Sequence, residues 1–233
     1  MTVSDKSGRV YFVSGIDTDV GKTIATGLAA RFLACRGADV ITVKMVQTGC
    51  DGFSEDLEVH RSMCGAGPQP EDAEGLTAPQ IFKYPSSPLL AARLEGRAVD
   101  LGRIASAVSQ CARRREIVLV EGAGGLDVPL TEDTLAVDFA AAQGWPLVLV
   151  TCGRLGSVNH TLLSLEAARA RGMRVAGVVH NWHRAATPLI DEDSFRTVRR
   201  HLERLGFAPA VVRIPRVVPG EPLPEVDFTE IFK

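Results

Sequence analysis

The sequence predicts a single-domain α/β fold, a parallel β-sheet flanked by helices on both faces. Three observations predict it: short apolar runs without inside–outside alternation, helical periodicity between them, and a Gly-Lys-Thr turn soon after the first run. Strands apolar on both faces must be covered on both faces, and strands that alternate with helices return in parallel. At 233 residues, 45% hydrophobic and 23% charged, the chain is long enough to bury a sizeable core without staples.

Val10-Tyr11-Phe12-Val13 is β-branched and aromatic and ends at Ser14-Gly15, so it reads as a buried strand followed by a turn. After Lys22, apolar residues recur at helical spacing through Ile24, Leu28, Ala29, Phe32 and Leu33, stopping near Gly37. Val40-Ile41-Thr42-Val43 is a second strand, ending at Lys44. Ile117-Val118-Leu119-Val120 ends at Glu121-Gly122, Pro146 to Val150 ends at Thr151, and Val175 to Val179 ends at His180-Asn181. Helices are expected near Leu101 to Arg114, Val158 to Arg171 and Asp191 to Leu205, and Val211-Val212 adds a strand at the sheet edge.

Residues 49–88 break this rhythm with scattered Gly, Pro, Glu and Asp, and are expected to form a long irregular loop that serves as a lid or substrate loop. Residues 1–8 and the Pro- and acid-bearing stretch 217–233 are expected to be loosely attached termini. A net charge of −2 provides no basic field for nucleic acid and no polybasic membrane patch, so the expected ligands are small. Five scattered cysteines without a Cys-x-x-Cys pair suit reduced thiols better than a metal site. With no signal-like leader and no run near the ~18 apolar residues of a membrane span, the expected location is the cytoplasm.

In a parallel sheet, ligands collect at the carboxyl ends of the strands, here Gly15, Lys44, Glu121, Thr151 and Asn181. Gly21-Lys22-Thr23 opens a helix after the first strand, the context of a phosphate loop and hence of a phosphate-loop NTPase-like fold. Backbone N–H groups and the helix N-terminus cradle phosphates, Lys22 reaches the β/γ oxygens of ATP, and the Thr23 hydroxyl can ligate Mg²⁺. One detail departs from the pattern GxxxxGK[ST]: its first glycine would stand at position 16, which is Ile16, and glycine occurs one residue earlier, at Gly15. Glu121 and Asp56 are the acidic candidates for Mg²⁺, against the plainer reading of solvated strand-end and loop acids. Lys44, one of only five lysines, either neutralises charge in phosphoryl transfer or is a surface lysine at a strand end.

Together these segments resemble the dethiobiotin synthetase family. Gly15 to Thr23 matches the family loop G-[TI]-D-T-x-V-G-K-T, displaced glycine included. Lys44 to Gly49, Tyr84 to Pro88, Val120 to Gly125, Pro129-Leu130 and the run from Leu155-Gly156 to Asn159-His160 match further family segments in order and spacing, over about residues 10–216. The resemblance implies an ATP- and Mg²⁺-dependent ligase that closes a ureido ring on 7,8-diaminopelargonate with CO₂ through a phosphorylated carbamate. It implies that Asp17, Thr18, Asp19, Val20, Gly21, Lys22 and Thr23 hold ATP, with Asn181 reading adenine and Pro215 flanking it. It assigns catalysis to Lys22 and Lys44, Mg²⁺ to Thr23, Asp56 and Glu121, and the diamine to Thr18, Lys44 and Thr48. Gly156, Ser157, Val158 and Asn159 open a helix that would cap the substrate carboxylate across a homodimer; the alternative is simple N-capping by Ser157.

Some residues depart from the family. Met45 stands where proline is usual, which implies a less rigid turn, and Trp182-His183 follows Asn181. His180 and His183 could pair at a metal, but with no evident acidic partner they read as surface histidines. Two alternatives remain. A partition-type ATPase switch would carry a lysine five residues before Lys22, where Asp17 stands, and a cobyrinate-type amide ligase would need a glutaminase-like domain.

Overall fold

The computed structural model describes residues 8–182, 187–218 and 220–233. Strand β1 (Arg9–Gly15) leads into helix α1 (Lys22–Cys35), followed by β2 (Val40–Lys44), β3 (Gln47–Thr48), α2 (Glu55–Cys64), α3 (Pro70–Ala73) and β4 (Ile81–Phe82). Next come α4 (Pro88–Leu94), α5 (Leu101–Arg114), β5 (Ile117–Gly125), α6 (Ala136–Ala142) and β6 (Leu147–Cys152). The chain finishes with α7 (Ser157–Ala170), β7 (Val175–Asn181), α8 (Pro188–Arg204) and β8 (Val211–Ile214).

Six strands form one sheet in the order β2-β5-β1-β6-β7-β8, every neighbouring pair parallel. Strands β6 and β7 are buried at every position, as sequences apolar on both faces require. The edge strand foreseen at Val211-Val212 is β8, beside β7. The chain leaves β1 towards β5 and β2 on one side, and β6 and β7 lie on the other, so the order reverses beside β1. That reversal opens a crevice at the carboxyl end of β1, where the Gly-Lys-Thr turn lies.

Two expectations are corrected. Within 49–88 the structure holds α2, α3 and β4, which pairs in parallel with β3 just before the stretch, instead of one irregular loop. The signals for α2 are local: Ser54 Oγ accepts from Leu57 N–H, Glu55, Asp56 and Glu58 face the positive end of the helix dipole, and Gly65 at φ 64° terminates it. Acids and glycines there are helix punctuation. The stretch 217–233 is no loose tail either, since Phe228, Ile231 and Phe232 are buried in the main core. Phe232 meets Tyr11 edge-on at 5.0 Å and Phe228 packs against Phe32 at 5.7 Å, so aromatic burial fastens the segment to β1 and α1. Residues 1–7 lie outside the described residues. All five cysteines are free thiols.

Candidate active site

The phosphate loop joins the buried end of β1 to the start of α1. Gly21 caps α1 at φ 92°, and a Cβ there would lie 2.0 Å from Asn181 Nδ2, so both conformation and space require glycine. A Cβ on Gly15 would meet Val20 Cγ2 at 2.7 Å and Asp17 O at 2.8 Å. Glycine is therefore needed at position 15, where the loop folds back on itself, and position 16 can carry the buried Ile16 side chain. This is the physical reason for the displaced glycine.

Parallel register aligns the other strand ends. Lys44 of β2 stands opposite Glu121 of β5, and Cys152 of β6 stands opposite Asn181 of β7. Lys44 Nζ lies 2.7 Å from Glu121 Oε1 and 2.5 Å from Asp56 Oδ2, and donates to Gly122 O at 3.3 Å. Thr23 Oγ1 donates to Asp56 Oδ1 at 2.7 Å and sits 3.2 Å from Glu121 Oε1. His60, on α2, completes the cluster with Nε2 at 2.8 Å from Glu121 Oε2. Thr23, Asp56 and Glu121 thus converge as an all-oxygen donor set, the kind that suits a hard divalent cation.

The charges here are strongly coupled. Burial alone would raise Glu121, but Lys44 and His60 hold its carboxyl well below the usual carboxylate range. Burial alone would lower Lys44, yet Glu121 and Asp56 outweigh it and keep the ammonium charged. Lys22 lacks so close a carboxylate partner; its ammonium donates to Asp17 O at 3.0 Å, and burial pushes its pKa down to about 8. Asp17 is held below its ordinary value: burial opposes this, but the Thr18 N–H and Arg154 prevail.

These groups line a cleft of about 720 Å³. Of the residues predicted from sequence, Thr18, Asp19, Gly21, Lys22, Thr23, Lys44, Thr48, Asp56, Glu121 and Asn181 all line it. Val20 lies buried beneath the loop, its carbonyl accepting from Asn181 Nδ2 at 2.9 Å. Pro215 does not line the cleft, whereas Arg216 and Val217 do. Gly156, Ser157, Val158 and Asn159 also lie outside it, although Arg154 and His160 beside them contact Asp17 of the loop. Gly156, not Ser157, is the cap of α7, so capping does not explain Ser157; its buried Oγ has no hydrogen-bond partner among the described residues.

Two other expectations change, and one open alternative is decided. Lys44 is buried, not a surface lysine. Met45 is wholly buried and donates its N–H to Glu121 O at 2.9 Å, a bond that proline could not make, so the turn is pinned rather than loosened. His180 is buried and bonded to Asp191 at 2.7 Å, so it is no surface histidine, and His183 lies outside the described residues. Sequence reasoning missed His60 and Arg154. His60 stands four residues after Asp56, the spacing of one helix face, and that signal becomes legible once α2 is recognised. No comparable signal marks Arg154.

A family model described as an AAA domain matches residues 9–219. The ATP-dependent dethiobiotin synthetase BioD 2 of Haemophilus influenzae is 51% identical over 75% of this chain and 91% of its own length. This chain belongs to the ATP-dependent dethiobiotin synthetase family. BioD 2 of Pasteurella multocida is 44% identical over 84% of the chain and 92% of its own length, and BioD of Chlorobaculum tepidum is 45% identical over 88% and 86%. The family is one of ATP-dependent ligases of biotin synthesis. Among solved structures, a ParA family ATPase from Chlorobium tepidum superposes with a TM-score of 0.52 at 13% identity, over 90% of this chain and 85% of its own. Chloroplast FtsY from Physcomitrella patens gives 0.52 at 15%, over 99% and 65%. These two share the fold alone.

Proposed function

We propose that this member of the dethiobiotin synthetase family closes the ureido ring of dethiobiotin from 7,8-diaminopelargonate and CO₂, with ATP and Mg²⁺. The observation that carries the mechanism is the pair of cations, Lys22 and Lys44, facing one cleft with the oxygens of Thr23, Asp56 and Glu121. One amine of the diamine adds to CO₂ and loses a proton, giving a carbamate anion. A carbamate oxygen then attacks the γ-phosphorus and ADP leaves. The second amine attacks the carbamoyl carbon and loses a proton, phosphate departs with the C–O bond, and the ring is closed. Both reacting partners in the phosphorylation are anions, so cations must lie between them.

Lys22 lies where the loop would hold the β/γ-phosphates, and Lys44 neutralises the carbamate as it meets phosphorus. Thr23, Asp56 and Glu121 would hold Mg²⁺, which when bound supplies positive charge to phosphate oxygens. The backbone from Asp17 to Thr23 cradles the triphosphate, and Thr18 and Thr48 orient the diamine. Asn181 would read the adenine, with Arg216 and Val217, which also line the cleft, next to Pro215. A homodimer is supported by Leu155 and Leu163, exposed at 81% and 57% around the start of α7, the helix whose residues Gly156 to Asn159 would cap the partner's substrate. No helix of the described residues is long and apolar enough to cross a membrane, and the free thiols support a cytoplasmic location.

The test is phosphate release with ATP, Mg²⁺, bicarbonate and the diamine, each omitted in turn. Release should require all four. Phosphate release indifferent to the diamine would overturn the synthetase reading.

A further inference from the structure

We propose that His60 is a positioning residue of this site, orienting Glu121 so that a single carboxylate oxygen, Oε1, faces the cation-binding set. The inference rests on the Mg²⁺ reading above. Glu121 is wholly buried and its two oxygens are divided between partners: Oε1 takes Lys44 at 2.7 Å and Thr23 at 3.2 Å, and Oε2 takes His60 Nε2 at 2.8 Å. An ionised carboxylate only accepts, so the imidazole carries its proton on Nε2. Its other nitrogen, Nδ1, is buried with no partner among the described residues. A leucine would fill the space without a buried Nδ1, but it would leave Glu121 Oε2 without its bond. The imidazole is accounted for by what Nε2 does to Glu121.

The helix explains how one segment contributes twice. Asp56 and His60 are one turn apart on α2, so both project towards the end of β5. Ser54 anchors the start of that helix, donating from Oγ to Gln47 Oε1 at 2.6 Å. Asp56 meets Lys44 and Thr23 directly, and His60 acts one bond further out, through Glu121.

The test is binding of Mn²⁺ with ADP, followed by Mn²⁺ electron paramagnetic resonance and by calorimetry, on wild type and on H60L, H60Q and H60N. Gln places an amide N–H where Nε2 stands, and Asn is too short to reach Glu121. H60L and H60N should bind Mn²⁺ about 10–100-fold more weakly, the usual cost of losing a partner that orients a metal ligand, and H60Q should recover most of the loss. The half-saturating Mg²⁺ concentration for phosphate release should rise in the same order. Wild-type metal affinity in H60L, or equal losses in H60Q and H60N, would reduce His60 to a packing role. If H60L does not fold, the contrast between H60Q and H60N decides. Failure of the wild type itself to bind Mn²⁺ with nucleotide would instead overturn the Mg²⁺ reading on which the inference rests.

Discussion

Among the described residues two buried histidine–carboxylate pairs occur, and they differ in what lies behind the carboxylate. His60 Nε2 meets Glu121 at 2.8 Å and His180 Nε2 meets Asp191 at 2.7 Å, and in both rings Nδ1 lacks a partner among the described residues. Behind Glu121 stand Lys44 and Thr23, in the wall of the cleft. Behind Asp191 stands Arg213, itself held by Glu192 and stacked over Phe195 at 4.3 Å, outside the cleft. The first pair lies in the wall of the cleft, where the proposed function has Glu121 hold a cation; the second clamps the end of β7 and β8 to α8. The same side-chain chemistry stands at the cleft in one place and in a tertiary clamp in the other, so residue type alone does not separate them.

The contrast is tested most severely by the two cleft lysines. Lys22→Ala and Lys44→Ala should each lower phosphate release by about 10²–10³-fold or more, as expected for loss of a charge aimed at the reacting phosphoryl group. Their stabilities should diverge in chemical denaturation. Lys44→Ala leaves Glu121 buried with His60 and the neutral Thr23 hydroxyl but without its ammonium partner, and should cost about 3–5 kcal/mol. Lys22→Ala should be neutral or stabilising, because burial already disfavours the Lys22 ammonium and depresses its pKa to about 8. Equal destabilisation by both would mean that Lys44 is not the counter-ion of a structural cluster.

The carboxylates give the next contrast. Asp191→Ala should cost about 3 kcal/mol of stability, because it strips the buried His180 of its partner and leaves Arg213 with Glu192 alone. Turnover should be unchanged. Glu121→Gln should do the reverse, lowering turnover by about 10²-fold with a smaller effect on the melting transition. Loss of turnover in a well-folded Asp191→Ala protein would dissolve the distinction between the two pairs.

The smallest expected effect is on pH dependence. Burial lowers His180 from its ordinary value of 6.5, outweighing the opposing pull of Asp191. The folded protein therefore binds fewer protons at this ring than the unfolded chain does. The associated stability is fully present above pH 6.5 and declines as pH falls through 6.5 towards the folded-state value, by at most about 1.4 kcal/mol per pH unit. Denaturation between neutral and mildly acidic pH should show this slope in wild type, and His180→Asn should flatten it. An unchanged slope would remove His180 as its source.

Much of this molecule is written in local sequence. Apolar runs without alternation become fully buried parallel strands, and the turn from Gly15 to Thr23 becomes a phosphate loop, because the causes act within a few residues. The ordering of 49–88 was also available locally, in Ser54 as cap, acids in the first turn and Gly65 as stop, but the same residues read equally well as loop formers. The last seventeen residues misled for another reason: the prolines and acids are visible, but the core groove that receives Phe228 and Phe232 is assembled by α1 and β1, far away in the chain.

Sequence by itself determined the fold class, the phosphate loop and the identity of most cleft residues, since strand ends in a parallel sheet must share one edge. Tertiary structure alone decided which charges meet. Lys44 and Glu121 are 77 residues apart, and only the β2–β5 register sets them opposite each other. His60 and Glu121 are 61 apart, joined only when α2 docks against that edge. The physical reason is range: backbone propensity and capping act over a few residues, whereas the pairing of buried charges depends on which elements exclude water together.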